Sequence, residues 1–296
     1  MQDNTPTNTI KHLVISGGGV TGFSFFGSLR ESSERNIWNI ENIETIYGTS
    51  IGALIGVMLA LKYDWNTLET YLVNRPWQNV FKVDMYSIIG SIQDRGIFQL
   101  SMIKELLTPL FLGKDISTDI TMLEFYELTK IDIHIFITEI KSFTLINISH
   151  KTHPDWKVVD AVYASSSLPV VFAPLHKDEL FYCDGGFLAN YPLIHCINNG
   201  ANPKEILGCV KTAITDEKAD LYNDSTLLDY IMVLLNNTVK NIIRANAVLE
   251  EPIAVEYCVP AVASSIYYIF NAVANMEERA ELIKIGKQLV IDAGLT

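Results

Sequence analysis

Apolar runs of two different periods alternate along this chain. His12-Leu13-Val14-Ile15-Ser16 is a short apolar run that stops at three glycines, as a buried parallel strand does before a loop that holds an anion or an oxyanion. The pattern then predicts a helix over Gly22 to Asn36 and a strand over Ile43 to Tyr47. From Ile51 onward, Ala53 to Leu61 is apolar on every side, the signature of a buried helix. Further on, Leu100 to Phe111 and Thr121 to Thr129 read as helices. Ile131 to Thr138 is β-branched and partly alternating, so it reads as a strand, with Phe143 to Ile148 pairing beside it. Asp160 stands as an N-cap ahead of Ala161 to Ser165, and Pro169 closes that helix. Ile206 to Lys211 reads as a strand, and Leu227 to Ala245 and Met276 to Ile291 as helices. Strands alternating with helices predict an α/β fold, a three-layer sandwich around a mostly parallel central sheet.

Composition narrows the picture. With 296 residues, 49% of them hydrophobic, the chain can fill one sizeable core, and a single domain over 1–296 is expected, with residues 1–9 flexible. A formal net charge of −12 opposes nucleic acid and gives no general attraction to anionic lipid, so contact with a membrane must rest on apolar surface. Cys183, Cys196, Cys209 and Cys258 lack metal-ligand spacing and read as reduced core thiols. The polar start Met1 to Pro6 has no signal-peptide pattern, so the expected location is cytoplasmic, with peripheral membrane contact. Tyr257 to Ala274 is apolar but broken by Pro260, Ser264, Ser265 and Asn271, and falls short of the roughly 20 uninterrupted apolar residues of a membrane span. It reads as core or interfacial.

Three motifs carry chemistry. Gly48-Thr49-Ser50-Ile51-Gly52 fits G-x-S-x-G between a strand and an apolar helix, where the flanking glycines let both elements approach a strained, exposed serine. The helix dipole there favours the charge that develops on an attacking Ser50 oxygen. Gly17-Gly18-Gly19-Val20-Thr21-Gly22 follows the first strand and opens a helix, so its amides can face an anion. It lacks the Gly-Lys-Ser/Thr end of a phosphate loop. Gly17, Gly19 and Gly22 formally satisfy a dinucleotide pattern, but a serine turn stands after the second strand where an acidic residue would be. The third motif, Asp184-Gly185-Gly186, follows apolar Leu180 to Cys183. Alone it is a turn. Beside an activated serine, its carboxylate can accept the serine proton directly.

In type, order and spacing these motifs resemble those of the patatin-like phospholipase family over nearly the whole chain. Arg95-Gly96-Ile97-Phe98, the run Ala164 to Pro169 with Phe172 and Pro174 behind it, and Asn190-Tyr191-Pro192 add to the likeness. The resemblance implies a patatin-like fold, a catalytic dyad of Ser50 as nucleophile and Asp184 as general base, and an oxyanion hole from Gly17, Gly18 and Gly19. Gly22, Gly48, Gly52, Gly185 and Gly186 are the remaining motif glycines. It implies a serine lipid acyl hydrolase of phospholipase A or lysophospholipase type, acting on membrane phospholipid or lysophospholipid with no cofactor and no metal. Thr21 stands where the family usually has Arg or Lys, so a cation that could order the loop or meet a head group is missing, while the backbone donors are unaffected.

Other readings stay open on the residues. A neutral-ester or triacylglycerol lipase would use the same fold. An ordinary Ser-Asp-His triad is compatible with the order Ser50, Asp184, His195. A catalytically silent lipid- or partner-binding module and a nucleotide-binding role complete the set. His12, His134, His150, His153, His176 and His195 show no zinc spacing. Pro76 to Leu112, with Trp77, Phe81, Met85, Ile88, Ile89 and Phe98, reads either as core or as a lid or membrane-docking surface over an acyl cleft.

Overall fold

The computed structural model describes residues 9–82, 90–91, 93–212, parts of 230–238, 252–260 and 266–294. The N-terminal half follows the hydrophobic pattern closely. Strand β1 (His12–Ile15) is buried throughout and leads through the glycine loop into α1 (Gly22–Glu34). Strand β2 (Thr45–Thr49) leads through Ser50 into α2 (Ile51–Ala60), in which every residue after Ile51 is buried. Then come α3 (Trp65–Asn74), β3 (Gly96–Phe98), α4 (Leu100–Leu112) and α5 (Met122–Thr129), the last started by a reciprocal capping box between Thr121 and Glu124. Strand β4 (Asp132–Glu139) is buried along its whole length and turns into β5 (Thr144–Ile148). After them come α6 (Val158–Ser166), β6 (Val170–Phe172), β7 (Leu175–Lys177), β8 (Leu180–Asp184), α7 (Gly186–Ala189) and α8 (Leu193–Asn198). The chain continues through β9 (Ile206–Thr212), β10 (Val255–Pro260), α9 (Ile266–Ala274) and α10 (Met276–Asp292).

Eight strands form one sheet in the order β10-β9-β1-β2-β4-β8-β7, with β5 also on β4. The run from β10 to β4 is parallel, while β5, β7 and β8 are antiparallel additions. Alternate side chains serve different cores, as a pleated sheet requires. Leu13, Ile15, Ile46, Ile133, Ile135 and Ile137 pack with α1, α2 and α6 on one face. On the other, Val14, Tyr47 and Phe136 pack with Ala189, Leu193 and Cys196. Helix, sheet, helix is therefore the layering, with a thinner second helical layer.

Three sequence readings change. Helix α6 starts at Val158 with Lys157 as N-cap, so Asp160 lies inside its first turn, where it pairs with Lys177 at 3.4 Å. The run Tyr257 to Ala274 is divided between β10, which ends at Pro260, and α9, which contains Asn271, while Ser264 and Ser265 lie outside the described residues. Cys258 is exposed, unlike the buried Cys183, Cys196 and Cys209, because β10 is the edge of the sheet and its side chains alternate. In the stretch from Pro76 to Leu112, Trp77 and Phe98 are core, joined through Phe81 by edge-to-face contacts. Met85, Ile88 and Ile89 lie outside the described residues, as does most of Leu227 to Ala245.

Candidate active site

The parallel strands end at the same edge of the sheet, and register on β4 brings the second and third motifs together there. Thr49 of β2 pairs with Phe136, and Asp184 of β8 pairs with the next residue, Ile137. Strand β5 occupies the far side of β4 across Ile135 to Glu139, so β2 and β8 must share the near side end to end. Asp184 thus stands one residue step, about 3.3 Å along a strand, from the register of Thr49, where β2 breaks into the Ser50 turn.

Ser50 adopts φ 56° and ψ −124°, a conformation that a residue with a Cβ takes up only when its surroundings impose it. The surroundings are specific. Its amide donates to Ser165 Oγ at 2.8 Å, and the Ser165 hydroxyl donates on to the Phe136 carbonyl at 2.7 Å. Helix α2 lies so close to β1 that a Cβ on Gly52 would meet the Ile15 carbonyl oxygen at 2.2 Å, so glycine is required there. Half-buried Ser50 sits at the positive end of α2.

Asp184 is buried, 7% exposed. Burial pushes its carboxyl up from the ordinary 3.8 to about 6, against the opposing pull of hydrogen bonds from the Ser50 side chain and the Gly186 amide. The Gly186 amide donates to Asp184 Oδ1 at 2.7 Å, and the Asp184 main chain is held by Ser167 and Thr138. A carboxylate of that basicity against a serine hydroxyl is the pairing that a general base needs.

The glycine loop lies alongside. A Cβ on Gly17 would come within 3.3 Å of Ser50 Cβ. The Gly17 amide is already committed, donating to the Asn190 carbonyl at 2.8 Å, so it is withdrawn from the expected oxyanion set. Among the described residues the amides of Gly18 and Gly19 have no protein acceptor. Thr21 is fully buried, and its amide closes the loop onto the Gly18 carbonyl at 3.1 Å.

His195 does not join this group. Its ring packs on Phe136 with centroids 4.9 Å apart, burial lowers its pKa, and neither Ser50 nor Asp184 is among its partners. His134 and His150 belong to a separate cluster about Asp132, at the opposite end of the strands, together with Lys151. Desolvation pushes the Asp132 carboxyl up, but the hydrogen bond and charge of His134, with Lys151 and His150, outweigh it and hold it at about 2. A hollow of about 680 Å³ opens at that same distant end, between Lys11, Thr45, Tyr126 and Asp132. Among the described residues no group of His, Cys, Asp or Glu is arranged to hold a metal ion.

Fold and site together define an α/β protein with a serine on a strained strand-to-helix turn and a buried aspartate beside it. The chain belongs to the patatin-like phospholipase family, whose sequence model matches residues 13–197. It is 26% identical over 234 residues to a probable lipid hydrolase of Invertebrate iridescent virus 6, covering 77% of this chain and 79% of that protein. It is 25% identical over 203 residues to a cGAMP-activated phospholipase of Escherichia coli, covering 62% of this chain and 53% of that one. Among solved structures, VipD from Legionella pneumophila shares the fold with a TM-score of 0.54 at 17% identity, covering 93% of this chain and 67% of that one. These relatives and the family support hydrolysis of lipid esters. The family match ends at 197, yet β9 and β10 complete the same sheet.

Ser165 and Asn190 were visible in the sequence only as parts of family-like stretches, without a role. The signal that reveals them is spatial: each bonds to a motif residue more than a hundred positions away.

Proposed function

We propose that this protein hydrolyses fatty-acyl esters of membrane phospholipid or lysophospholipid through a histidine-free dyad of Ser50 and Asp184. The observation that carries the reading is the placement of buried Asp184 one residue step from the register of Thr49, beside the strained Ser50 turn, where burial raises its carboxyl to about 6. As Ser50 Oγ attacks the ester carbonyl, its proton passes to Asp184. The amides of Gly18 and Gly19 receive the oxyanion, each such donor contributing on the order of 3 kcal/mol. Collapse of the tetrahedral adduct expels the alcohol, which takes the proton from Asp184 and leaves the acyl group on Ser50. Water then gives a proton to Asp184, attacks the acyl carbonyl and releases the fatty acid, and the proton returns to Ser50. No step calls on a metal or an organic cofactor. Two relatives carry names in accord with this reading, a lipid hydrolase and a phospholipase.

A neutral-ester substrate is the second reading, favoured by Thr21, which is uncharged and fully buried where the family usually has a cation. Release of fatty acid from phospholipid, lysophospholipid and triacylglycerol separates the two. Wild-type protein is expected to cleave at least one phospholipid class, and Ser50→Ala none. A folded wild-type protein that neither turns over these lipids nor reacts with a fluorophosphonate at Ser50 would demote it to a silent binding module.

A further inference from the structure

The three motifs are tied together by residues outside all of them. Two residues, Ala189 and Asn190, reach both other motifs from the segment that follows Asp184. The Thr49 hydroxyl, one residue before the nucleophile, donates to the Ala189 carbonyl at 2.7 Å. The Gly17 amide donates to the Asn190 carbonyl at 2.8 Å, and Asn190 Nδ2 donates back to the Gly17 carbonyl at 3.3 Å. Both polar groups of Gly17 are therefore held by one residue, which leaves the peptide between Gly17 and Gly18 little freedom to rotate.

The side chain of Asn190 also accounts for two motif glycines. A Cβ on Gly17 would sit 2.5 Å from Asn190 Oδ1, and a Cβ on Gly186 would sit 2.9 Å from it. Atoms essentially never approach so closely, so the slot holding the asparagine exists because the first and third motifs both have glycine there. The point beside Gly186 is also 2.9 Å from Asp184 Oδ1. Asn190 Oδ1 and Asp184 Oδ1 thus flank the same face of Gly186, while Asn190 Nδ2 holds the glycine loop.

We propose that Asn190 is a positioning residue that locks the Gly17 peptide and so aims the Gly18 and Gly19 amides at the oxyanion formed on Ser50. This rests on the hydrolase reading above. It goes further in assigning the geometry of the oxyanion loop to a side-chain amide 173 residues away from it in sequence. The Gly17 carbonyl also accepts from the Ser16 hydroxyl at 3.1 Å, and what singles out Asn190 is that it alone holds the Gly17 amide and the Gly17 carbonyl together.

The test compares Asn190→Ala and Asn190→Asp with wild type, using a soluble short-chain ester. Displacing a catalytic group by a fraction of an ångström costs on the order of 10- to 100-fold in rate, so Asn190→Ala is expected to lose that much in kcat while KM changes less than about threefold. Asn190→Asp keeps the shape, cannot donate to the Gly17 carbonyl and adds a charge beside Asp184. It is expected to lose kcat similarly and to move the acid limb of kcat/KM upward, because a like charge raises a carboxyl pKa. Retention of kcat within about twofold in both variants overturns the proposal, as does a loss confined to KM. Should Asn190→Ala fail to give a cooperative melt, the isosteric variant decides on the same criteria. Hydrogen exchange at the Gly17 amide provides a readout free of catalysis. It is expected to quicken in Asn190→Ala, where the main-chain acceptor remains, and unchanged exchange overturns the clamp. An inactive wild-type protein, together with quickened Gly17 exchange in Asn190→Ala, would sink the hydrolase reading and leave the clamp standing.

Discussion

The proposed role of Asp184 as a base asks it to be both buried and charged, and the two demands conflict. A carboxyl whose pKa rises from 3.8 to about 6 on folding favours its neutral form in the folded state. Its stabilising contribution is therefore complete below about pH 4 and is lost as pH rises through about 6. At neutral pH the ionised group burdens the fold by about 3 kcal/mol, taking roughly 1.4 kcal/mol per pKa unit. Asp184→Asn is accordingly expected to abolish hydrolysis while raising the melting temperature at pH 8, with the gain shrinking toward pH 4. Measurable turnover in that variant would remove Asp184 as the base, and a lower melting temperature at pH 8 would contradict its burial cost. The same ionisation predicts that wild-type kcat/KM falls on the acid side with a midpoint near 6, read from a soluble ester across pH 4.5 to 8. His195→Ala is expected to keep most activity and that same midpoint, since the ring packs on Phe136 away from the dyad. A loss of a hundredfold or more would restore the triad. The turns that carry Ser50, Asp184 and the glycines were legible because their conformation is written in neighbouring residues. The Ser165 bridge joins residues 115 apart, and no local pattern announces it.

At the scale of elements, long periodic segments declared themselves and short or edge segments did not. The all-round apolar run of α2 and the buried strand β4 needed only their own residues. Strands β3, β6 and β7 have three residues each, too few for a period, and exist because neighbouring elements pair with them. The C-terminal helix α10 was legible as a helix, but its docking was not. A Cβ on Gly286 would lie 1.9 Å from the Ser24 carbonyl oxygen of α1, and the Ser28 hydroxyl donates to the Gly286 carbonyl at 2.9 Å. Near the start of α10, buried Arg279 donates to the carbonyls of Val73 at the end of α3 and of Ala272 and Val273 at the end of α9. Helix ends carry orphan carbonyls, and a guanidinium fork can satisfy several at once. Arg279→Ala strands them in a buried site and is expected to cost about 3 kcal/mol by chemical denaturation, the scale of lost bonds to a charged donor. An unchanged denaturation midpoint would show that water replaces the guanidinium.

The whole molecule carries 34 acidic and 22 basic side chains, and that excess acts on any approach to a charged lipid surface. No helix among the described residues is long and apolar enough to cross a membrane. On the proposed membrane-lipid reading, the lipid reaches Ser50 through apolar contact made against a net repulsion where the lipid is anionic. The Debye length shrinks from roughly 14 Å at 0.05 M salt to about 4 Å at 0.5 M, so added salt removes repulsion between net charges and leaves apolar contact intact. Hydrolysis of anionic vesicles is therefore expected to rise over that range, while hydrolysis of zwitterionic vesicles stays nearly flat. Fatty-acid release from vesicles of the two compositions, normalised to the rate on a soluble ester at each salt concentration, isolates the docking step from the chemistry. A steep fall with salt on anionic vesicles would mean that a local cluster of cations governs docking in spite of the net charge of −12. A flat response on both would mean that the net charge of the molecule does not act on the docking step.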